Sequence, residues 1–280
     1  MALVAKPGGP TSHDVVDTVR RALGTDRVGH LGTLDPFATG LLVIVVGRAT
    51  RLAPFATAWT KTYDGVIRLG TTTTTDDPTG AAIATSESWR GMDRGRVEQA
   101  LARLRGTYEQ RPPAYSAVKV AGERAYRRAR RGEAVALQPR RVEVVALELT
   151  SYAPPDLGFR ATVSGGTYVR SLARDVGEAL GCGGHLAALT RTQVGSFRLT
   201  DAIAPEQVTP LALRDSAELV RDLPRRELDS AGRDAVIHGR PIPAGKGEEG
   251  RVALFSDGEL LAVAERVEDV LKPRVVVVEQ

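Results

Sequence analysis

The chain has 280 residues and a mass of 29.9 kDa, enough to bury the core of one sizeable domain and a small second one. Its single cysteine, Cys182, excludes an internal disulfide, and its longest apolar runs fall far short of the ~20 residues of a membrane-spanning helix. Met1 leads into Lys6-Pro7-Gly8-Gly9-Pro10 with no signal-peptide core, so a reducing, cytoplasmic setting is expected.

In chain order, Thr11 followed by Asp14 is a capping-box pattern. Val15, Val16, Val19 and Leu23 then recur on one face of a helix predicted over Asp14 to Leu23 and stopped by Gly24. Upstream, Lys6-Pro7 has two open readings, a solvated tail or a lysine reaching over a site. Arg27 to Leu42 packs a histidine, an aspartate and glycines 29, 32 and 40 into a polar loop. It runs into Leu41-Leu42-Val43-Ile44-Val45-Val46, whose β-branched residues predict a strand. Asp35 before Pro36 is either an ordinary turn starter or a carboxylate presented from a rigid edge of the core. No Gly-Lys-Ser/Thr follows, so this is not a phosphate loop, and His30 with Asp35 lacks a third metal ligand nearby.

Gly47-Arg48-Ala49-Thr50 reads as a turn, Lys61 to Leu69 as a strand carrying Tyr63, and Thr71 to Gly80 as a long polar turn. A helix is predicted over Asp93 to Leu104, ended by Gly106. Two prolines then open Gln110-Arg111-Pro112-Pro113-Ala114-Tyr115-Ser116-Ala117-Val118-Lys119, and an arginine-laden helix follows over Gly122 to Arg131. From Lys119 to Arg141 eight cations face only Glu123 and Glu133, although the net charge of the whole chain is just +4. Arginine forks suit phosphate, so the 110–134 excursion is either a solvated lid or an arm lying along a phosphate backbone.

Val142 to Tyr152 and Phe159 to Val163 read as strands and Thr167 to Leu180 as a helix with Arg170 in its first turn. A cation there opposes the helix dipole, which points to a carboxylate or phosphate partner. Gly181 to His185 is expected to be flexible, Leu186 to Leu189 a short helical turn and Val194 to Leu199 a strand. The pattern loosens around Pro210 to Arg226. Beyond it, Val236-Ile237, Arg251 to Phe255, Glu259 to Ala264 and Arg274 to Val278 are short predicted strands of a small β unit. The expected division is residues 1–220 and 221–280.

Several separated pieces together resemble one family, the TruB-type tRNA pseudouridine synthases. They are Lys6-Pro7 with Ser12, the run Gly29-His30-Leu31-Gly32-Thr33-Leu34-Asp35-Pro36-Phe37-Ala38-Thr39-Gly40-Leu41-Leu42, and Lys61-Thr62-Tyr63. Further on come Arg111-Pro112-Pro113-Ala114-Tyr115-Ser116-Ala117-Val118-Lys119, Gly166 to Leu172, Gly184-His185-Leu186 and Leu189-Thr190-Arg191. Leu31 and Thr190 depart from the commoner polar residue and second arginine of that pattern.

The resemblance implies an α/β (α+β) fold, a mixed and largely antiparallel sheet flanked by helices, with a small PUA-like β domain at the C-terminus. It implies isomerisation of uridine 55 in the T-loop of tRNA, with Asp35 as catalytic aspartate and Arg170 as its partner. Tyr63 would stack on the target base and is a candidate base for the C5 proton. His30 would fill the space left by the flipped nucleotide and Leu189 would lie near the bound base. Lys6 and Tyr168 join them in substrate binding, together with Arg111, Lys119, Arg124, Arg127, Arg128 and Arg131 of the excursion. The chemistry needs neither metal nor organic cofactor, and a monomer acting on the T-arm without an obligatory protein partner or a membrane is expected.

Two other classes can be weighed on the residues alone. A non-catalytic RNA-binding protein accounts for the arginines but gives no reason for Asp35, whose charge opposes RNA. An α/β-hydrolase-like enzyme fails for want of Gly-x-Ser-x-Gly.

Overall fold

The apolar run at 41–46 becomes the Thr39–Val46 strand, and the rest of the main sheet is arranged about it. A computed structural model describes residues 1–116, 118–120, 122–133 and 137–278; the side chains of Lys119, Val120, Arg124, Tyr126 and Arg130 lie outside the described ones. Leu42 and Ile44 pack on Val15, Val16 and Val19 of the Ser12–Leu23 helix. Leu41, Val43 and Val45 belong to a second cluster that takes in Val220, Ala253 and Phe255. Burial on both faces is why the run shows no polar alternation. The helix is capped as its sequence predicts: the Asp14 amide donates to the Thr11 hydroxyl, and the Thr11 amide donates to the Asp14 carboxylate at 2.7 Å.

The nine-stranded sheet runs in the order Ala2–Lys6, Thr39–Val46, Gly184–Val194, Lys61–Leu69, Asp156–Val163, Arg140–Ala153 and Gly106–Gln110, with Val28–His30 and Phe197–Arg198 appended. Its pairs are antiparallel except that of Thr39–Val46 with Gly184–Val194, where Thr190 faces Thr39 and Arg191 faces Gly40. Gly40 has φ +110°, and a Cβ there would sit 2.3 Å from the Arg191 carbonyl oxygen, so only glycine lets these two backbones close. Helices Arg94–Arg103 and Val169–Leu180 press Val97, Leu101, Leu172 and Val176 onto Ile67, Leu147, Leu157 and Phe159.

A separate five-stranded, PUA-like sheet follows, in the order Arg225–Glu227, Arg251–Ser256, Glu259–Val267, Val270–Val276 and Ile242–Pro243. Helix Ser230–Ile237 covers it through Val236. No described helix is long and apolar enough to cross a membrane.

The structure corrects several local expectations. Leu186 to Leu189 is not a helical turn, and residues 181–185 do not all form a loop: Gly184–Val194 is one strand, paired with Lys61–Leu69 from Gly184 opposite Leu69 to Val194 opposite Lys61. Ladder bonds override the helix preference of Leu-Ala-Ala-Leu. Val236-Ile237 ends a helix rather than forming a strand, because Asp229 caps residues 230–237 by accepting from the Gly232 amide. Residues 47–52 form a 3-10 helix, and the polar stretch at 71–80 begins as the strand Thr71–Thr73, paired with Ala82–Thr85. Within the excursion the helix covers only Ala125–Arg130, after a small hairpin of Lys119–Val120 with Glu123–Arg124.

Candidate active site

The Leu31–Ala38 loop, just before the Thr39–Val46 strand, is held from beneath by three side chains. Lys6 donates its three ammonium protons to the carbonyls of Pro7, Pro36 and Ala38, at 2.8, 3.2 and 2.8 Å. Ser12 bridges both the carbonyl and the amide of Leu34. Arg191, buried opposite Gly40, donates to the carbonyls of Leu41, Gly32 and Thr33. Asp35 is thereby fixed in the wall of a cavity of about 330 Å³ that is also lined by Tyr63, Tyr168, Arg170 and Leu189.

Arg170 is the hub of this cavity. Its Nε meets Asp35 Oδ2 at 2.9 Å and one terminal nitrogen donates to Asp35 Oδ1 at 3.2 Å, a two-point pair. The remaining donors reach the carbonyls of Thr75 and Tyr115, both at 3.0 Å, and the Asp77 carboxylate at 3.3 Å. Burial, with the Asp77 charge adding to it, raises the Asp35 pKa above the ordinary carboxylate value, while the adjacent guanidinium pulls it back. Arg170 thus both orients the carboxylate and opposes its protonation.

Asp77 is a member of the cavity's charge system that sequence reasoning missed. The polar stretch exists to hold it: Oδ1 of buried Asp77 accepts from the hydroxyls of Thr75 and Thr79, both at 2.6 Å, and from the Thr79 amide. A threonine run ending in two aspartates was the available signal. Tyr168 is positioned from outside its own helix. The Gln110 side chain accepts from its amide at 2.8 Å and donates to its carbonyl at 3.1 Å, which supplies the helix entry with the cap its sequence lacks.

The other predicted residues lie elsewhere. Lys6 is 1% exposed and wholly engaged with carbonyls, so it braces the loop and does not reach over the cavity. His30 lies on the Val28–His30 strand, outside the cavity wall, with its Nδ1 buried and without a hydrogen-bond partner among the described residues. Burial lowers its pKa, so the ring is neutral near pH 7. The Arg111 carbonyl accepts from Ser171 and Arg174, tying the start of the excursion to the Val169–Leu180 helix. Arg128 pairs with Glu133, and Arg131 pairs with both Glu123 and Glu133, so part of the excursion's positive charge is compensated internally. Arg127 is exposed, whereas the side chains of Lys119 and Arg124 lie outside the described residues.

Several wall residues, Thr57, Tyr115, Thr167 and Arg191 among them, were not singled out as cavity groups by the sequence, and three more bear on its chemistry. Arg140 is one. Ser116 is another, its hydroxyl buried with no partner among the described residues. Lys61 is the third, 7% exposed, with burial and nearby Arg191 pushing its pKa down to about 8. Among the described residues no group of three His, Cys, Asp or Glu is placed to hold a metal ion.

Comparison with known proteins decides the family. Residues 20–169 match the N-terminal domain of the TruB family of pseudouridylate synthases, and residues 170–228 match the C-terminal domain of tRNA pseudouridylate synthase B. The chain belongs to the TruB family of tRNA pseudouridine synthases.

Its reaction is accordingly an isomerisation. A TruB relative, the tRNA pseudouridine synthase B of Thermobifida fusca (strain YX), is 45% identical over 99% of this chain and 97% of its own. That of Synechococcus sp. (strain CC9311) is 45% identical over 98% and 96%. A solved H/ACA RNP bound to a substrate RNA containing 2'-deoxyuridine holds a chain with the same fold, at TM-score 0.74 and 22% identity over 99% of this chain and 85% of that one. The TruB motif residues Gly32, Asp35, Lys61, Tyr63, Arg170 and Arg191, distant in sequence, meet in one cavity.

Proposed function

We propose that this cavity receives uridine 55 of the tRNA T-loop, flipped out of its stack, and converts it to pseudouridine with Asp35 as the catalytic carboxylate. The observation that carries the reading is the two-point Asp35–Arg170 pair at the cavity wall beside Tyr63. The reaction breaks N1–C1′, turns the freed uracil and rejoins it through C5. An ionised carboxylate opens it, by attack at C1′ or by removing the 2′ proton, and Arg170 keeps that carboxylate charged in a desolvated pocket. Tyr63, set in a core cluster that includes Ala161 and Leu189, offers the ring on which the base stacks. A neutral phenol is a weak proton acceptor, so stacking is its firmer role.

Extruding a stacked base costs a few kcal/mol. Arg127, Arg140 and Arg141 are cations with no carboxylate partner among the described residues, and binding of phosphates by them offsets that cost. The relatives are named for tRNA, and the structural neighbour holds a substrate RNA, which supports RNA as the ligand. The enzyme acts as a monomer without an obligatory partner protein. The test is tritium release from C5-labelled uridine in a T-arm minihelix, with no added metal or nucleotide. Asp35→Asn abolishes release while leaving minihelix affinity within a fewfold; product formation by this variant overturns the assignment.

A further inference from the structure

The Asp35–Arg170 chemistry leaves one buried cation of the cavity without a task. The Lys61 ammonium donates to two neutral carbonyls, Thr57 at 3.0 Å and Trp59 at 2.8 Å, and pairs with no carboxylate among the described residues. The charged group that acts on it, Arg191, is another cation and adds to the lowering of its pKa by burial. An ammonium has three protons, and the third finds no acceptor among the described residues, in a side chain that lines the cavity. Burying a cation without a counter-charge is unfavourable, and negative charge that develops on a bound ligand would relieve that cost.

Position says which part of the ligand it meets. Lys61 and Tyr63 alternate on one strand and leave the same sheet face, their Cα atoms roughly 6.6 Å apart at about 3.3 Å per residue. The Lys61 stem lies against the catalytic loop, since a Cβ on Gly32 would be 3.7 Å from Lys61 Cε. A base stacked on Tyr63 with its sugar at Asp35 would occupy the cavity that Lys61 also lines.

We propose that Lys61 stabilises the departing uracil, its third N–H donating to a base carbonyl oxygen as the glycosidic bond breaks. The inference rests on the reading of this cavity as the uridine site. When N1–C1′ opens, its electron pair stays on uracil and spreads over N1, O2 and O4. C1′ is meanwhile captured by Asp35 or by the electrons released when the 2′ proton leaves. Lys61 lends a hydrogen bond and a charge and keeps its proton; C5 then bonds C1′, either displacing the Asp35 ester or adding to the C1′–C2′ double bond while C2′ takes its proton back from Asp35, and the C5 proton passes to water as N1 takes one up. A fixed donor aimed at developing charge acts in the transition state more than in the ground state.

The experiment compares wild type, Lys61→Met and Asp35→Asn in single turnover on T-arm minihelices carrying uridine or 5-fluorouridine at the target position. Consumption of the target nucleoside is read by digestion and chromatography, and Kd by filter binding. Fluorine makes uracil a better leaving group that needs less help. Lys61→Met is expected to slow the uridine substrate by about 10²–10³-fold, to slow the fluorinated one at least tenfold less, and to leave Kd within about threefold. Equal defects on both substrates show a structural role and overturn the inference. A weakened Kd with a normal saturated rate shows a phosphate clamp and also overturns it.

Should Lys61→Met not fold, the wild-type pH profile on the uridine substrate decides: its single-turnover rate must fall as pH rises through about 8. A rate that stays level between pH 7 and 8.5 overturns the inference. Asp35→Asn inactive on both substrates keeps the site in place whatever Lys61 does, whereas Asp35→Asn active on either removes the underlying reading itself.

Discussion

Replacing Arg170 by Met removes the cation that meets Asp35 at 2.9 and 3.2 Å and leaves two carboxylates, Asp35 and Asp77, without their shared partner. With charge centres about 4 Å apart and an effective dielectric near 20, the lost attraction is about 4 kcal/mol. A pKa unit corresponds to about 1.36 kcal/mol, so the ceiling is about 3 units, and neighbours of this kind move carboxylates by about 1–3. The shift is upward and adds to the rise that burial already imposes on Asp35. Asp35 works ionised, so activity is present above its pKa and lost as pH falls through it. Arg170→Met therefore displaces the acid limb of the pH–rate profile upward by roughly 1–3 pH units, a loss of about 10- to 1,000-fold on that limb that higher pH partly restores. Single-turnover tritium release between pH 5 and 9.5 reads this directly. Arg170→Lys keeps the charge but not the two-point geometry, and should lower the rate with a smaller displacement of the limb. An acid limb that stays where wild type has it, or a loss no pH relieves, would refute the electrostatic argument.

Further outcomes follow from the same geometry. Tyr63→Phe should retain most of the T-arm affinity and turn over more slowly, and turnover equal to wild type would make the hydroxyl dispensable. Replacing Arg127, Arg140 and Arg141 together by Ala should flatten the plot of log Kd against log salt by about 0.7–0.9 for each phosphate that these side chains neutralise; an unchanged slope places these arginines off the RNA. Gly40→Ala drives a Cβ to 2.3 Å from the Arg191 carbonyl oxygen at a positive φ, so a melting temperature lowered by several degrees is expected, and an unchanged one contradicts the close strand approach.

On the residues alone Asp35 stayed one of two readings of a glycine-rich loop before an apolar strand, and the resemblance to the TruB-type synthases singled it out; Arg170 stood out locally, as a cation at the wrong end of a helix dipole. Asp77 was not singled out: the threonine run before it signals a carboxylate held by hydroxyls, but its pairing with Arg170 arises only when the turn at 73–79 folds beside the Val169–Leu180 helix. Lys6 and Arg191 were equally opaque: their partners are backbone carbonyls, which have no residue identity to read. The helical reading of Leu186 to Leu189 failed for a tertiary reason, since that segment is hydrogen-bonded within the centre of the sheet and takes its conformation from its neighbours. The Thr39–Val46 strand was plain because burial on both sides leaves an unbroken apolar run.

The most direct measurement is a structure of the enzyme with a T-arm minihelix bearing 5-fluorouridine at the target position. The account predicts the nucleotide extruded beside Tyr63, with an Asp35 oxygen either bonded to the sugar or about 3–3.5 Å from C1′ or the 2′ hydrogen, and Arg170 still on the carboxylate. A carboxylate well away from the extruded ribose, or a target base left stacked in the loop, would contradict it.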